Sequence, residues 1–156
     1  MPYQSARTMD FNDALERLKG ISEEKGLRLT HQRLEILRQL VRAHDHPSEE
    51  MIFGRVRKKL PTISLDTIYR TLSTFAELGL IMRVPVTGDQ GRFDAVTGPH
   101  HHFFCSSCNA IYDFTWDDFD CLELPDNSQS LGKALDRRVV VRGICEACLT
   151  QKERSH

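Results

Sequence analysis

The nine residues His100-His101-His102-Phe103-Phe104-Cys105-Ser106-Ser107-Cys108 bring two metal-binding patterns together in one stretch. The Cys-x-x-Cys pair that ends this stretch is repeated at Cys145 and Cys148, with residues 109–144 between the pairs. A Cys-x-x-Cys turn places two thiolates on one side of the chain, and two such turns supply the four sulfur ligands of a tetrahedral zinc site. We therefore expect all four cysteines to bind one structural zinc ion, since four thiolates leave no open position for a substrate.

The three histidines before the first cysteine pair predict a second metal site. His100 and His102 are two residues apart on a predicted strand, so their side chains point to one face and that of His101 to the other. Asp94 precedes the histidines, and Asp113 lies on the strand predicted after the cysteine pair. Two imidazoles with two carboxylates form a mixed set that suits Fe(II), Mn(II) or Zn(II). The alternative interpretation of adjacent histidines is a solvated loop, or a run that captures metal adventitiously during purification.

His46 is a further candidate ligand. It lies before Pro47, at a predicted turn between helices of the first half. A lone histidine before a proline is more often a surface or capping residue. If His46 reached the other ligands, a metal ion would tie the two halves together and bias their relative orientation. A histidine-based site beside a rigid zinc site is the layout of a metal sensor.

The first half of the chain predicts four helices, because apolar residues recur there at helical spacing behind capping signals. The predicted N-caps are Asn12, Thr30, Ser48 and Ser64, and the predicted ends are Gly26, Pro61 and Gly79. The predicted core-facing residues are Leu15, Leu18 and Ile21; Leu34, Leu37, Leu40 and Val41; Met51, Ile52, Val56 and Leu60; and Leu65, Ile68, Leu72, Phe75 and Leu78. Residues 80–84 and 92–96 flank a glycine-containing segment and predict a β-hairpin.

Helices followed by a two-stranded hairpin indicate a winged helix, in which the last helix before the wing enters the major groove of DNA. In that helix Tyr69 and Arg70 lie between the core positions, where Arg70 could contact a guanine edge or a phosphate. The alternative is the solvated face of an ordinary helix. Overall, the predicted fold class is α+β: a winged-helix DNA-binding domain over residues 1–96, then a small α/β zinc-containing dimerisation domain over residues 97–156.

The predicted elements of the second half surround the cysteine pairs. Strands are expected at residues 103–104, 110–114 and 137–142, with a helix near residues 119–124. A sheet edge that is available for pairing makes a homodimer reasonable, and symmetric dimers are the usual partners of palindromic DNA. Cys121 lies outside both pairs, and we predict it to be a small buried apolar residue.

Charge and composition set further limits. Residues 1–84 carry 14 Lys+Arg against 11 Asp+Glu, a net charge of +3, whereas residues 85–156 carry 7 against 11, a net charge of −4. This asymmetry favours nucleic acid as the partner of the first half and cations as the partner of the second.

No stretch of about 18 apolar residues occurs and the first ten residues do not resemble a signal peptide, so we expect no membrane partner. Four of five cysteines in zinc-type spacing favour the reducing cytoplasm.

From about Gly26 to Cys148 the chain resembles the ferric uptake regulator family. The matching stretches are Gly26-Leu27-Arg28-Leu29-Thr30 with Gln32-Arg33, His46-Pro47, Ser64-Leu65-Asp66-Thr67-Ile68-Tyr69-Arg70, Arg92-Phe93-Asp94, His100-His101-His102 leading to Cys105-Ser106-Ser107-Cys108, Ile111-Tyr112-Asp113-Phe114 and Gly143-Ile144-Cys145-Glu146-Ala147-Cys148. The resemblance implies a dimeric winged-helix repressor with a structural zinc and a regulatory metal at the domain hinge. The DNA contacts that we assign are Arg28, Arg33, Ser64, Thr67, Tyr69 and Arg70.

Within this family the chain is most similar to the peroxide-sensing branch, which uses three histidines and two aspartates. The matching regulatory ligands are His46, Asp94, His100, His102 and Asp113. Iron-sensing members usually carry glutamate at the two aspartate positions, and the shorter Asp113 in particular matches the peroxide-sensing branch. The resemblance implies that bound Fe(II) cleaves hydrogen peroxide and that His46 or His100 is oxidised, which releases the repressor from its operator. The alternative is a repressor that responds reversibly to iron or manganese.

The chain also departs from the family. Many members have a third metal site that uses a late histidine, and the corresponding position falls here near Arg137. His101 and Asp120 match the other two ligands, so we expect this third site to be absent. A zinc-uptake regulator is disfavoured because its hinge site would be expected to include a cysteine.

Two enzyme classes remain as alternatives. A thiol-disulfide oxidoreductase is disfavoured because the first Cys-x-x-Cys pair follows a strand instead of opening a helix. A metallohydrolase is disfavoured because no general base is placed near the histidines. We therefore expect no enzyme activity and no small organic cofactor.

Overall fold

The computed structural model describes residues 9–86, 91–95 and 98–154, which separate into two compact units of residues 9–95 and 98–154. We also expect residues 1–96 to include an N-terminal extension before Phe11; residues 1–8 of that extension, residues 87–90 of the predicted wing tip and the predicted boundary between residues 96 and 97 lie outside the described residues. None of the described helices is long and apolar enough to cross a membrane.

The N-terminal unit contains four helices followed by a two-stranded sheet. Its elements are α1 (Phe11–Lys25), α2 (His31–Val41), α3 (Glu49–Arg57), α4 (Leu65–Glu77), β1 (Met82–Val84) and β2 (Arg92–Asp94). The strands pair antiparallel with Arg83 opposite Phe93. The helix, helix and wing order predicted for a DNA-binding domain is therefore the order observed.

Side-chain caps begin the helices of this unit. The hydroxyls of Thr30, Ser48 and Ser64 accept backbone N–H groups of the first turns of α2, α3 and α4, as predicted. The prediction of Asn12 as the first N-cap was wrong. Asp10 caps α1 instead, because its carboxylate accepts the N–H of Asn12 at 3.3 Å.

Most of the predicted apolar face is buried in one cluster of the N-terminal unit. Its fully buried large residues include Leu18, Leu37, Ile52, Leu72 and Phe75. Met51 and Leu65 were predicted to face the core but are each 36 % exposed, since both lie in the first turns of their helices. Leu80 and Ile81 were predicted as strand residues, and both pack into the core. The wing strand β1 therefore begins at Met82.

The C-terminal unit is built on a three-stranded sheet. Its elements are β3 (His101–Cys105), β4 (Ile111–Phe114), α5 (Asp117–Cys121), α6 (Asp126–Gln129), β5 (Val140–Gly143) and α7 (Glu146–Arg154). β3 is central and pairs antiparallel with β4 and parallel with β5. The antiparallel register places His102 opposite Asp113, and the parallel register places Cys105 opposite Gly143.

Several predictions for this unit need correction. The helix expected near residues 119–124 corresponds to α5, which begins at Asp117 and ends at Cys121. The strand expected at residues 137–142 is β5, which begins only at Val140. Neither α6 nor α7 was predicted. Cys121 is exposed, not buried, because all five residues of α5 are at least partly exposed.

Glu35 is a buried carboxylate that joins α2 to the end of α3. Its oxygens accept hydrogen bonds from Arg38 Nη1 at 2.6 Å and Gln39 Nε2 at 2.7 Å, and Lys59 Nζ lies 3.3 Å away. Burial acts to raise the pKa of Glu35, but the bonds from Gln39, Arg38 and Lys59 outweigh burial and lower this pKa from its ordinary value. The charged form therefore stabilises the folded unit.

Glu35→Gln should lower the free energy of unfolding by about 1–3 kcal/mol at pH 7, because it removes the charge from these hydrogen bonds. A carboxylate with a lowered pKa stabilises the fold above its unfolded pKa, and this contribution is lost as pH falls through the folded pKa. The difference between the variant and the parent chain should therefore shrink below about pH 4.5. Urea unfolding at several pH values measures this difference in the free energy of unfolding. Glu23→Gln, a substitution at an exposed position of α1, is the control. A difference independent of pH would contradict this role.

Candidate metal centres

Four cysteine sulfur atoms converge at one end of the C-terminal sheet. The Sγ atoms of Cys105 and Cys148 are 4.0 Å apart, those of Cys108 and Cys145 are 3.8 Å apart, and all four lie within 4.8 Å of one another. Ligands of a tetrahedral zinc ion with Zn–S bonds of 2.3 Å are about 3.8 Å apart. The sulfur separations and the donor chemistry therefore fit a zinc ion with four thiolate ligands.

Backbone geometry brings the two Cys-x-x-Cys pairs together. Cys105 ends β3 and Cys145 directly precedes α7, so the β3–β5 pairing carries the second pair beside the first. The N–H of Cys145 lies 3.3 Å from Cys105 Sγ and donates to it. Hydrogen bonds from the backbone of Cys145 and Cys108 lower the pKa of the Cys105 thiol to about 6. A thiolate, the form that binds metal, is therefore favoured at this position.

Tyr112 is a neighbour of this cluster that was not predicted from the sequence. The hydrogen bond between its side chain and Cys145 raises the pKa of the Tyr112 hydroxyl to about 12. The pKa of Cys145 is lowered chiefly by a hydrogen bond from the backbone of Cys148 and, to a smaller extent, by the bond from Tyr112. A hydroxyl that donates to a ligating sulfur helps to orient the ligand. The sequence does contain a signal for this position. Side chains alternate in direction along residues 111–114, which places Tyr112 on the face of β4 opposite that of Asp113.

Two candidate ligands lie together in the N-terminal unit. His46 Nε2 is 3.6 Å from Asp94 Oδ2, and both side chains are buried. A nitrogen and an oxygen bound to one ion at 2.0–2.2 Å are about 3.0–3.6 Å apart, so this pair fits two neighbouring ligands of one ion. The backbone of His46 has φ +48°, a left-handed conformation that stores on the order of 1–3 kcal/mol of strain in a residue other than glycine.

The other candidate ligands lie together in the C-terminal unit. His102 Nε2 is 3.4 Å from Asp113 Oδ1, and His100 Nε2 is 4.0 Å from the same oxygen. His100 precedes the first residue of β3, and its Nδ1 lies 2.8 Å from the carbonyl oxygen of Gly98. His100 and His102 are fully buried and face Asp113 together, as the predicted alternation requires. Each unit thus contributes its own group of nitrogen and oxygen donors.

His101 faces the opposite side of the sheet. Its Nδ1 accepts the N–H of Val139 at 3.1 Å, so the ring proton lies on Nε2, which is 3.4 Å from Asp120 Oδ1. Burial lowers the pKa of His101 against the opposing effect of Asp120. The guanidinium of Arg137 donates to the carbonyl oxygens of Asp120 and Leu122. Where the resemblance placed a late metal-binding histidine, the chain thus has an arginine that binds the backbone at α5.

The predicted DNA-contacting residues lie on α4 and its N-cap, at the start of α2, and at Arg28 in the segment before α2. Ser64 caps α4, and its hydroxyl lies 2.8 Å from that of Thr67. Tyr69 donates to Glu50 at 3.3 Å, and Arg70, whose side chain is 81 % exposed, pairs with Asp66 at 2.9 Å. At the start of α2, Arg33 Nη1 donates to the carbonyl oxygen of Arg28. The exposed positions of Tyr69 and Arg70 are compatible with either a DNA contact or an ordinary solvated face.

Cys105→Ser, or removal of zinc with a chelator, should unfold the C-terminal unit, because metal binding to such a cluster supplies folding free energy. Thermal unfolding followed by circular dichroism, with the zinc content of each chain, measures this effect. Cys121→Ser is the matched control, since Cys121 is exposed and is not one of the four clustered cysteines. A folded Cys105→Ser variant with a full zinc content would contradict the structural role.

Comparisons with known proteins identify the family. The model of the ferric uptake regulator family matches residues 24–127. The peroxide operon regulator of Bacillus subtilis (strain 168) is 33 % identical over 147 residues, which cover 94 % of this chain and 97 % of that protein.

Solved structures give the same result for the fold. The ferric uptake regulator of Helicobacter pylori matches with a TM-score of 0.75 and 24 % identity, over 92 % of this chain and 96 % of that chain. The peroxide stress regulator of Campylobacter jejuni matches with a TM-score of 0.63 and 27 % identity, over 86 % of this chain and 98 % of that chain. The predicted α+β fold, a winged-helix domain followed by a dimerisation domain, is confirmed. The chain belongs to the ferric uptake regulator family, whose members are metal-responsive, DNA-binding transcriptional regulators.

Proposed function

We propose that this chain is a homodimeric repressor that senses hydrogen peroxide through Fe(II) bound by histidines. The regulatory ligands would be His46, Asp94, His100, His102 and Asp113, and the structural zinc ligands would be the four clustered cysteines. The observation that carries the proposal is the aspartate at position 113, whose Oδ1 lies 3.4 Å from His102 Nε2. The similarity to the Bacillus subtilis peroxide operon regulator supports the same function.

Asp113 matters because of its length. It lies opposite His102 in the β3–β4 register, so its carboxylate reaches the histidines from the neighbouring strand with a single methylene. A glutamate there would extend farther and could contribute both oxygens to an ion. The shorter aspartate favours a lower coordination number, which leaves a position for peroxide.

The chain's own residues would both hold the ion and receive the oxidation. Fe(II) held by these residues would supply the redox chemistry that activates hydrogen peroxide. Overall, one peroxide oxygen would be inserted into a C–H bond of a ligating imidazole while the O–O bond breaks and the other oxygen leaves as water, so the two-electron oxidation of the imidazole balances the two-electron reduction of peroxide. Addition of one oxygen atom to His46 or His100 would remove a nitrogen donor. Since each unit contributes only some of the donors, loss of one donor would release the constraint that the ion imposes between them. These steps oxidise the protein itself, so they signal the presence of peroxide and are not catalytic turnover.

Zinc and DNA have separate parts in the proposal. The zinc ion would stabilise the C-terminal unit, through which two chains would form the dimer. The N-terminal unit would place α4 in the major groove of double-stranded palindromic operator DNA in the cytoplasm. Arg28, Arg33, Ser64, Thr67, Tyr69 and Arg70 remain the proposed contacts.

The proposal is tested by peptide mass spectrometry on anaerobic, Fe(II)-loaded protein after a stoichiometric pulse of hydrogen peroxide. We expect a gain of one oxygen on His46 or His100 and none in the Mn(II)-loaded protein. His101 is an internal control, because it is buried but faces the other side of the sheet. Iron that stays bound without histidine oxidation would contradict peroxide sensing.

Asp113→Glu is the matched variant for the same experiment. It should keep metal-dependent DNA binding but reduce histidine oxidation, because a longer carboxylate would occupy the position left for peroxide. Unchanged oxidation would exclude Asp113 as the residue that sets peroxide sensitivity.

A reversible response to iron or manganese is the second candidate. The donor set favours it as much as the first, since imidazole and carboxylate ligands suit both Mn(II) and Fe(II). A solved structure described as a zinc-bound manganese uptake regulator also matches this chain, with a TM-score of 0.63 and 27 % identity. Metal-dependent DNA binding that peroxide leaves unchanged would select this candidate.

Arg70→Ala should weaken operator binding by about 1–3 kcal/mol if Arg70 contacts a base edge. The measurement is fluorescence anisotropy at fixed salt, on a duplex selected by the parent protein from a random library. Lys19→Ala removes one positive charge from the exposed surface of α1 and serves as the control. Equal losses in both variants would show a general charge effect and exclude a specific contact by Arg70.

A further inference from the structure

A segment of three residues that carries His46 is bound to the wing strand β2 by backbone and side-chain hydrogen bonds. Arg92 Nη2 donates to the carbonyl oxygen of Asp45 at 2.8 Å, and Arg92 Nε donates to that of His46. The N–H of Phe93 donates to the carbonyl oxygen of Pro47 at 3.1 Å. Three successive carbonyl groups, from Asp45 to Pro47, are therefore held by two successive residues of β2.

The conformation that these bonds hold is one that the local sequence does not favour. His46 has φ +48°, which is uncommon outside glycine, and the following Pro47 further restricts the backbone of His46. Such a conformation persists only where the surrounding structure determines it. The imidazole direction of His46 depends on this backbone, so the bonds from β2 decide whether Nε2 faces Asp94.

Resting on the proposed function, in which His46 binds the regulatory ion, we propose that Arg92 is the positioning residue for this ligand. By binding the carbonyls of Asp45 and His46, Arg92 holds the left-handed turn that presents His46 to Asp94. Arg92 and Asp94 are two residues apart on β2. One strand therefore supplies both Arg92, which holds the turn, and Asp94, the second proposed ligand. Binding of an ion would thus be linked directly to the geometry of the wing.

An arginine is suited to this task and a lysine is not. The guanidinium is planar and presents its N–H donors in a fixed fork, which matches two neighbouring carbonyl oxygens. A lysine has the same charge but a single ammonium group on a flexible stem, so it cannot hold both carbonyls in one geometry. Burial lowers the pKa of Arg92, although the nearby Asp45 opposes this shift.

The direction in which metal affinity changes when Arg92 is replaced distinguishes a positioning role from a simple effect of its charge. A positive side chain near a metal site repels the ion, so charge alone predicts that removal of Arg92 tightens binding of a divalent cation. Positioning predicts the opposite, because His46 loses the backbone conformation that aims its nitrogen. Partner groups of this kind typically change metal affinity by about 10–100-fold when they are substituted.

The test uses the full-length, zinc-loaded chain and Mn(II) as the redox-inert probe. We expect Arg92→Lys and Arg92→Gln to weaken Mn(II) binding by about 10–100-fold, measured by calorimetry. Both variants should keep their zinc content and circular dichroism spectrum. Arg83→Gln is the matched control on the neighbouring strand, because the Arg83 guanidinium lies over the Phe93 ring and pairs with Glu49. This control should keep the parent affinity within about twofold.

A double-mutant cycle shows whether Arg92 acts through His46. In a His46→Ala background Arg92→Lys should cause little further loss, since the ligand that it positions is gone. Additive losses would overturn the inference and show a general structural role, as would unchanged or tighter Mn(II) binding in the single variants. If His46→Ala itself leaves Mn(II) binding unchanged, the proposed ligand set fails. If His46→Ala abolishes binding while Arg92→Lys does not weaken it, only the role of Arg92 fails.

Discussion

Convergence of four sulfur atoms is the constraint on which the C-terminal unit depends. Among its described apolar residues only Phe104, Cys105, Ile111 and Cys145 are buried, whereas the N-terminal unit buries a large cluster from all four of its helices. A unit with so few buried apolar residues needs another source of stability, and a structural metal is a common one. The same strand, β3, ends in Cys105 and carries His102. One strand therefore carries both a member of the four-cysteine cluster and His102, a proposed regulatory ligand.

The N-terminal unit is organised differently. Its helices are held by the apolar core, so polar side chains are free to set finer geometry at its surface and edges. Glu35 connects α2 to Lys59, and Arg92 connects the wing strand to the turn before α3. On that turn Ser48 caps α3, and the next residues of α3 pair with the wing through Arg83 and with α4 through Tyr69. The start of α3, which follows directly after the His46 turn, is thus linked by side chains both to the wing strand β1 and to α4.

Local signals in the sequence predicted much of this structure, and long-range contacts account for the rest. The caps at Thr30, Ser48 and Ser64 were predictable because capping depends on the residue itself and on the three that follow. The cysteine cluster and the His100–His102 alternation were predictable because they follow from spacing. The exposure of Cys121, the parallel pairing of β5 with β3, the left-handed backbone of His46 and the reach of Arg92 to residues 45 and 46 were not. The exposure of Cys121 follows from the lack of burial along α5, and the other three features depend on contacts between residues far apart in sequence, which no local pattern encodes.

The parallel pairing of β3 with β5 has a consequence for synthesis of the chain. β3 and β4 form a hairpin from adjacent residues, but β5 and the cysteines after it follow only after residues 115–139 have been made. At roughly 5–20 residues per second the ribosome needs on the order of 2–8 s to translate from Cys108 to Cys148. During that interval the first two thiols are present without their partners, and one edge of the central strand is unpaired. The first cysteine pair and one edge of β3 therefore stay without their native partners at least until the second cysteine pair has been translated.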